Sequence, residues 1–404
     1  MTRVVLHKRL VDGEAMQTAR HYADGLAIDK SWRVFTSRST SSKDNLIFDL
    51  SALDYLDHDS LLHLGAITRF RSLRGLDTLY DLPTVSHVLD FIRAWKFPEF
   101  ISNVAGKPFE QLLTRRSKNV WKSLTTEFPR YVKVIDLPGG GMAELLSSTH
   151  FELTPISLTT NPFRAATVAR DAWLERHFKA ILEAYLGDTG ERLGKMVILE
   201  AVLNAAMHPG AQMAYTSSQI VLPRVPDDSP RLQIGIWDDG SPIALTLQRR
   251  MDQGLPIVSP VFGFLHESFR VRLVRANGKE EVRHLNPRPD HIDRGFPWLS
   301  VIAFMAGVSS LPDRPLEETG QGLRDGDTDN YPGMGLKYIR RNVLDLWGGT
   351  IRYWVGSYRM LMKAGPERDT YQVDIFYRPK EAWPIQGNLL FLEIPLRRGM
   401  EEET

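Results

Sequence analysis

The sequence predicts an α+β protein in two parts, a small α/β unit near the N-terminus followed by a sandwich of sheet and helices. Three patterns carry that expectation. Residues 46 to 97 run strand, helix, strand, helix, the order of a small α/β unit. From residue 151 the order becomes strand, helix, helix, strand, strand, an α+β order that does not call for parallel crossovers. Three further strand-like runs close the chain and complete a sheet. A length of 404 residues, 43% of them hydrophobic, allows two or three domains and a substantial core.

In the first unit, "LIFDL" at 46 to 50 is a short β-type run. Residues 54 to 75, "DYLDHDSLLHLGAITRFRSLRG", have helical apolar spacing that ends at Gly75. "LDTLYDLP" reads as a second strand stopped by Pro83. "VSHVLDFIRAWKF" is an amphipathic helix with Val85, Val88, Leu89, Ile92 and Trp95 on one side. Between 98 and 150, "RYVKVIDLPGGGMAELL" suggests a strand, a turn at Gly139 to Gly141 and another element. The glycine triplet reads as a flexible turn rather than a phosphate loop. The expected division is a first unit at 1–110, a connecting region at 111–150 and a second unit at 151–404.

The second unit opens with the polar strand "FELTPISLTT" and a long helix from Pro162 to about Leu186, with proline in its first turn. "GDTGERLG" breaks that helix, and the nearly all-apolar helix "ILEAVLNAAMHPGA" follows at 198 to 211. Two strand-like runs come next, "SSQIVLP" and "RLQIGIWDD", the second alternating up to the paired Asp238 and Asp239. Residues 244–332 form a long insert expected to act as a lid. It contains a hairpin turned at Asn277-Gly278, an apolar helix at 297 to 309 and a polar stretch beginning "PDRPLEETG". A helix from Leu336 to Leu346 ends at Gly348-Gly349, before the strands "TIRYWVG", "YQVDIFYR" and "GNLLFLEIPL".

Composition removes several function classes. Lys plus Arg number 50 against 49 Asp plus Glu, a formal net charge of +1, so no general affinity for nucleic acid is expected. The chain has no cysteine, which excludes disulfides, thiolate metal sites and a cysteine nucleophile. Its 11 histidines include no His-x3-His pair, so zinc is not expected. The first 25 residues lack the apolar segment of a signal peptide, and "WLSVIAFMAGVSSL" at 298 to 311 is too short to span a bilayer. A cytoplasmic protein with no membrane partner is the expectation.

On the apolar helix 198 to 211 the strongly polar side chains are Glu200, Asn204 and His208, spaced by four and therefore in one stripe. A carboxylate, an amide and an imidazole in line on such a helix each need a partner if buried. Two other segments are candidates to supply it: "IWDDGSPI" at 236 to 243 and "GMGLKYI" at 333 to 339.

In that order, these segments resemble the nucleotide-binding domain shared by gyrase, chaperone and mismatch-repair ATPases and by histidine kinases, the GHKL superfamily. "ILEAVLNAAMH" is similar to its N box, "DDGSPI" to its first glycine box, "GMGL" to its second, and "IQGNLLFLEIPL" to its closing strand. The likeness spans about 150 to 398. It implies ATP and Mg²⁺ as cofactors. Asn204 would be the metal ligand, His208 would approach phosphate, Asp238 would accept from the adenine amino group, and Gly240, Gly333, Gly335, Leu336, Gly387 and Asn388 would shape the cradle. Glu200 would be the catalytic base that polarises a water or hydroxyl.

Physical chemistry agrees with those roles. Mg²⁺ is a hard cation that keeps waters and takes few protein oxygens, so one amide oxygen beside phosphates is a sensible shell. Backbone N–H groups of a Gly-x-Gly opening a helix suit an anion. A strand-end carboxylate accepts from an exocyclic amine, selecting adenine over guanine. Two positions depart from the pattern: Pro242 replaces the second glycine of the first box, and Asn388 replaces the closing threonine.

Residues 44 to 100 resemble a STAS domain, the fold of anti-sigma-factor antagonists, through "LIFDLSALDYLDHDSLLHLGAITRFRSLRG". In those proteins the turn reads Asp-Ser-Ser-Gly and its first serine is phosphorylated. Here the turn is Asp57-His58-Asp59-Ser60, with His58 at the acceptor position and Ser60 as the remaining hydroxyl. The combined resemblance implies an ATP-binding signalling protein that hydrolyses ATP or phosphorylates a regulatory protein partner, closest to anti-sigma-factor serine kinases. The alternatives are a non-catalytic ATP-switched binding or homodimerisation module, and a clamp-type ATPase of a nucleic-acid or defence pathway.

Overall fold

Alternate residues of the central strands face two different hydrophobic cores, so the main sheet is covered on both sides. The computed structural model describes residues 2–11, 14–16, 46–123, 134–136, 142–144, 150–156, 158, 167–168, 171, 182, 197, 199–207, 210–221, 229–257, 267–275, 277–285, 295–305, 335–356, 358–377 and 385–396. The N-terminal part holds β1 (Thr2–Val11), β2 (Glu14–Met16), β3 (Leu46–Leu56), α1 (His58–Ser72), β4 (Thr78–Asp81), α2 (Ser86–Ala94), α3 (Phe97–Ala105) and α4 (Arg115–Ser123). A short antiparallel pair follows, β5 (Val134–Asp136) with β6 (Met142–Glu144). Next come β7 (His150–Pro155), α5 (Leu199–Met207), β8 (Ala214–Val221), β9 (Arg231–Asp238), α6 (Ile243–Asp252), β10 (Ser268–Arg275), β11 (Glu280–Leu285) and α7 (Phe296–Ile302). The last elements are α8 (Gly335–Arg340), β12 (Thr350–Val355), β13 (Tyr358–Ala364), β14 (Thr370–Tyr377) and β15 (Asn388–Pro395).

The fold is α+β. Among the described residues, one sheet has the order β2-β1-β3-β4 and the larger one β11-β10-β14-β13-β12-β15-β9-β8-β7. Pairing in the large sheet is antiparallel except between β10 and β14. The pleat then sorts side chains by parity. Leu232, Ile234 and Ile236 of β9, with Leu390, Leu392 and Ile394 of β15, join Ala201, Val202 and Ala205 of α5 and Leu299 of α7 in one core. Trp237, Leu389 and Phe391 point the other way and join Leu61 and Leu62 of α1 and Phe100 of α3.

Helix α1 is therefore enclosed between the small sheet and the large one, with buried residues from His58 through Arg71 on nearly every side. Its close seating depends on missing side chains. A β-carbon at Gly65 would lie 2.2 Å from Phe100 Cζ, and one at Gly235 of β9 would lie 2.5 Å from Leu62 Cδ1.

Several boundaries differ from the sequence reading. Strand β3 continues to Leu56, past the expected helix start at Asp54, because Asp57 caps α1: its carboxylate accepts from Ser60 N at 2.9 Å. Helix α2 stops at Ala94, since Lys96 takes φ 53° and Phe97-Pro98 open α3. Strand β13 and helix α6 were not anticipated. The helix expected at Leu336 to Leu346 is α-helical only to Arg340 and widens into a π turn over Arg341–Leu346.

The expected lid is, in its described parts, built into the fold. The hairpin β10-β11 pairs through β10 with β14, and α7 buries Trp298, Leu299, Val301 and Ile302. The long helix from Pro162, the glycine turn at Gly139 to Gly141 and the polar stretch after Pro312 lie largely or wholly outside the described residues. No helix among the described residues is long and apolar enough to cross a membrane.

Candidate functional site

Helix α5 is rich in alanine and leucine, good helix formers, and packs Ala201, Val202, Leu203 and Ala205 into the core. That burial leaves Glu200 and Asn204 one turn apart, with Glu200 8% exposed. Both face the first residue of α8. A β-carbon added to Gly335 would sit 2.8 Å from Glu200 Oε2 and 3.0 Å from Asn204 Nδ2. Two motifs more than 130 residues apart in the chain thus form one wall, and glycine is what allows so close an approach.

Asn204 Nδ2 donates to the carbonyl of Glu200 at 2.8 Å, so the amide oxygen is the atom this side chain can offer a ligand. An acceptor oxygen beside a carboxylate suits a hard cation or an activated water. Leu336 is half-buried and packs against the core behind them. His208 and Gly333 lie outside the described residues.

Asp238 ends β9 on the same sheet face as the α5 core, directly across from Asn388 of β15. Its Oδ1 accepts from Gly240 N at 3.0 Å and from Asn388 Nδ2 at 3.1 Å. Gly387, at φ 80°, makes the approach possible, because a β-carbon there would lie 1.7 Å from the Asp238 carbonyl oxygen.

Pro242 and Asn388 are joined at one helix entry. Pro242 sets the entry of α6 but supplies no side-chain cap, leaving N–H groups of the first turn to be satisfied elsewhere. Asn388 Oδ1 accepts from Ile243 N at 3.2 Å and from the Tyr353 hydroxyl, while its Nδ2 also donates to Ser241 O at 3.3 Å. An amide can accept at the helix and donate to Asp238 at once, which a threonine hydroxyl would do with a single oxygen. Burial and the Asp238 charge hold the Tyr353 hydroxyl well above its usual pKa, so it remains a donor.

The turn at the start of α1 has a different fate. His58 and Ser60 are fully buried. His58 Nδ1 pairs with Ser217 Oγ at 2.9 Å and its ring stacks on Trp95 at 5.0 Å, while the Ser60 hydroxyl donates to Asp57. Asp59 contacts Arg352 at 3.3 Å. Burial, then Asp57 and Glu393, raises the Asp59 carboxyl well above the carboxylate range, and burial lowers Arg352 to about 10. Burial, then Arg359, pushes His63 down to about 3, and its ring meets Trp354 edge-on at 4.4 Å. In this arrangement neither His58 nor Ser60 is open to a phosphorylating enzyme.

Sequence reasoning did not find Tyr353, or the residues that hold the turn after Asp238, among them Arg69, Asp239 and Gln386. The doubled aspartate was the available signal. Among the described residues no group of three or more His, Asp or Glu converges on a metal-sized site. No protein-family model, curated protein or solved structure matches this chain. The GHKL and STAS resemblances therefore rest on the motifs and their placement.

Proposed function

We propose that this chain is a Mg-ATP-binding regulatory protein that hydrolyses ATP or transfers its phosphoryl group to a protein partner. The observation that carries the reading is the wall formed by Glu200, Asn204 and Gly335, with the Asp238–Asn388 pair on the same face of the sheet. Glycine at 335 lets the carboxylate and the amide of α5 close in on the start of α8, so both polar groups stand together at one helix junction. Mg²⁺, held by Asn204 Oδ1, would neutralise charge on the phosphates. Asp238 would accept from the adenine amino group, and Glu200 would take the proton of the attacking water or hydroxyl. Its position, beside the amide and buried from bulk water, suits a general base.

The test has two steps. Titration calorimetry with ATP is expected to give Mg²⁺-dependent binding in the wild type that is lost in Asn204→Ala. Glu200→Gln should bind as the wild type does and release phosphate at least about 100-fold more slowly. Absence of binding in the wild type would reject the reading. Mg²⁺-dependent binding without phosphate release in the wild type would favour an ATP-switched module, and unchanged turnover in Glu200→Gln would reject Glu200 as the base.

A further inference from the structure

The doubled aspartate at the end of β9 divides its labour between the two faces of the sheet. Asp238 lies on the face of the proposed nucleotide site, and the pleat sends Asp239 to the face covered by α1. There its carboxylate is fully engaged. Oδ2 accepts from Arg69 Nε at 2.8 Å, and Oδ1 accepts from the backbone N–H groups of Gln212 and Met213 at 2.7 and 2.8 Å. The pair is nearly dry, with side chains 10% and 2% exposed. Arg69 also donates through its guanidinium to Gln212 Oε1 at 2.8 Å, so one side chain ties the end of β9 to the segment that enters β8.

A second strut lies beside the first. Gln386 N donates to the Ala66 carbonyl of α1 at 3.1 Å, and its side chain donates to the Asp239 carbonyl at 3.0 Å. Its own carbonyl accepts from Trp237 Nε1 at 2.8 Å. Helix α1 thus holds the Asp239 side chain directly and, through Gln386, the Asp239 carbonyl, the Trp237 indole and the segment that leads into Gly387 and Asn388. Nothing in α1 reaches the Glu200, Asn204 and Gly335 wall, which stands on α5 and α8.

We infer that Arg69 is a positioning residue that sets base specificity: through Asp239 it fixes the direction of the Asp238 carboxylate, so the N-terminal unit acts in cis as part of the nucleotide site. This rests on the nucleotide reading above. A carboxylate tells adenine from guanine only if it is held where an amino group, and not a carbonyl, must lie. Phosphate and metal are handled elsewhere, so loosening the turn affects the base alone.

That separation gives a readout a purely structural ion pair would not move. Affinities of the full-length protein for Mg-ATP, Mg-GTP and Mg-tripolyphosphate are measured in wild type, Arg69→Met and Arg69→Lys. Arg69→Met is expected to reduce the ATP-to-GTP preference about tenfold while tripolyphosphate affinity stays within about twofold. Arg69→Lys, which keeps the charge opposite Asp239, should recover part of the preference. If Arg69→Met does not fold, Asp239→Asn carries the same test, because its amide oxygen keeps the two backbone bonds while its NH2, a donor, can no longer accept from Arg69. Equal loss for all three ligands, or an unchanged preference, would overturn the inference and leave the nucleotide site standing. A wild type that binds none of the three would overturn the nucleotide reading itself.

Discussion

Helices α1 and α5 lie on opposite faces of one sheet, and both carry polar side chains into a protein interior. On α1 those groups meet one another or the sheet: His58 with Ser217, Asp59 with Arg352, Arg69 with Asp239. On α5, Asn204 donates to the Glu200 carbonyl, and both side chains close in on Gly335, where a β-carbon would lie 2.8 to 3.0 Å from them. The polar side chains of α1 thus bridge to distant strands, while those of α5 gather at a helix junction that glycine makes possible.

Two glycine substitutions sharpen that contrast most. At Gly387 a new β-carbon meets a backbone carbonyl at 1.7 Å, on a residue at φ 80°. Gly387→Ala is expected to cost about 4 kcal/mol or more, read from the urea midpoint. At Gly335 the obstacle is the end of the Glu200 side chain, which can swing away. Gly335→Ala should stay within about 1 kcal/mol of wild type while losing Mg-ATP affinity at least about tenfold. Equal destabilisation by the two changes would mean that the α5 wall is ordinary core.

Arg352→Met probes the α1 face. It removes the partner of buried Asp59, for an expected loss of about 3 kcal/mol in chemical unfolding, with nucleotide affinity unchanged. Asp59, already held toward its neutral form, protonates rather than remaining an isolated charge, which limits the loss. A fall in affinity equal to that of Asn204→Ala would show that the two faces are not separate.

The smallest effect is a pH slope. His63 titrates at about 3 when folded and near 6.5 when unfolded. Above 6.5 neither state holds the proton; as the pH falls from 6.5 toward 3 the unfolded chain binds it and the folded chain does not. Stability therefore drops with falling pH, by up to about 1.4 kcal/mol per pH unit from this group. The slope of Asp59 has the opposite sign, because its raised pKa gives the folded state the extra proton, so the informative quantity is the difference between wild type and His63→Phe. Parallel stability curves from pH 7 to 4 would contradict the assignment.

How much of this the sequence disclosed follows from the same contrast. The Glu200 and Asn204 stripe and the doubled aspartate were legible because a few polar residues interrupt apolar runs, and β9 was legible from its alternation up to Asp238. Helix α1 was recognised, but not its burial on all sides, because its composition averages near neutral and its partners lie 143 to 293 residues away. Strand β13, "YRMLMKA", has no clear polar alternation and gains its identity from pairing with β12 and β14. In the insert at 244–332, length and polarity mark an insertion, while docking of β10 onto β14 depends on contacts about 100 residues apart. Pro242 and Asn388 looked like independent defects, and only three-dimensional proximity reveals them as a helix entry and its cap.

The most direct measurement of the central proposal is the thermal unfolding midpoint with and without Mg-ATP, for the wild type and Asn204→Ala. At about 100 times Kd, a ligand that binds only the folded protein adds about 2.7 kcal/mol. A Mg²⁺-dependent rise in the wild-type midpoint that vanishes in Asn204→Ala is the expected result. The same midpoint with and without saturating Mg-ATP in the wild type would contradict a nucleotide site at Glu200, Asn204 and Gly335.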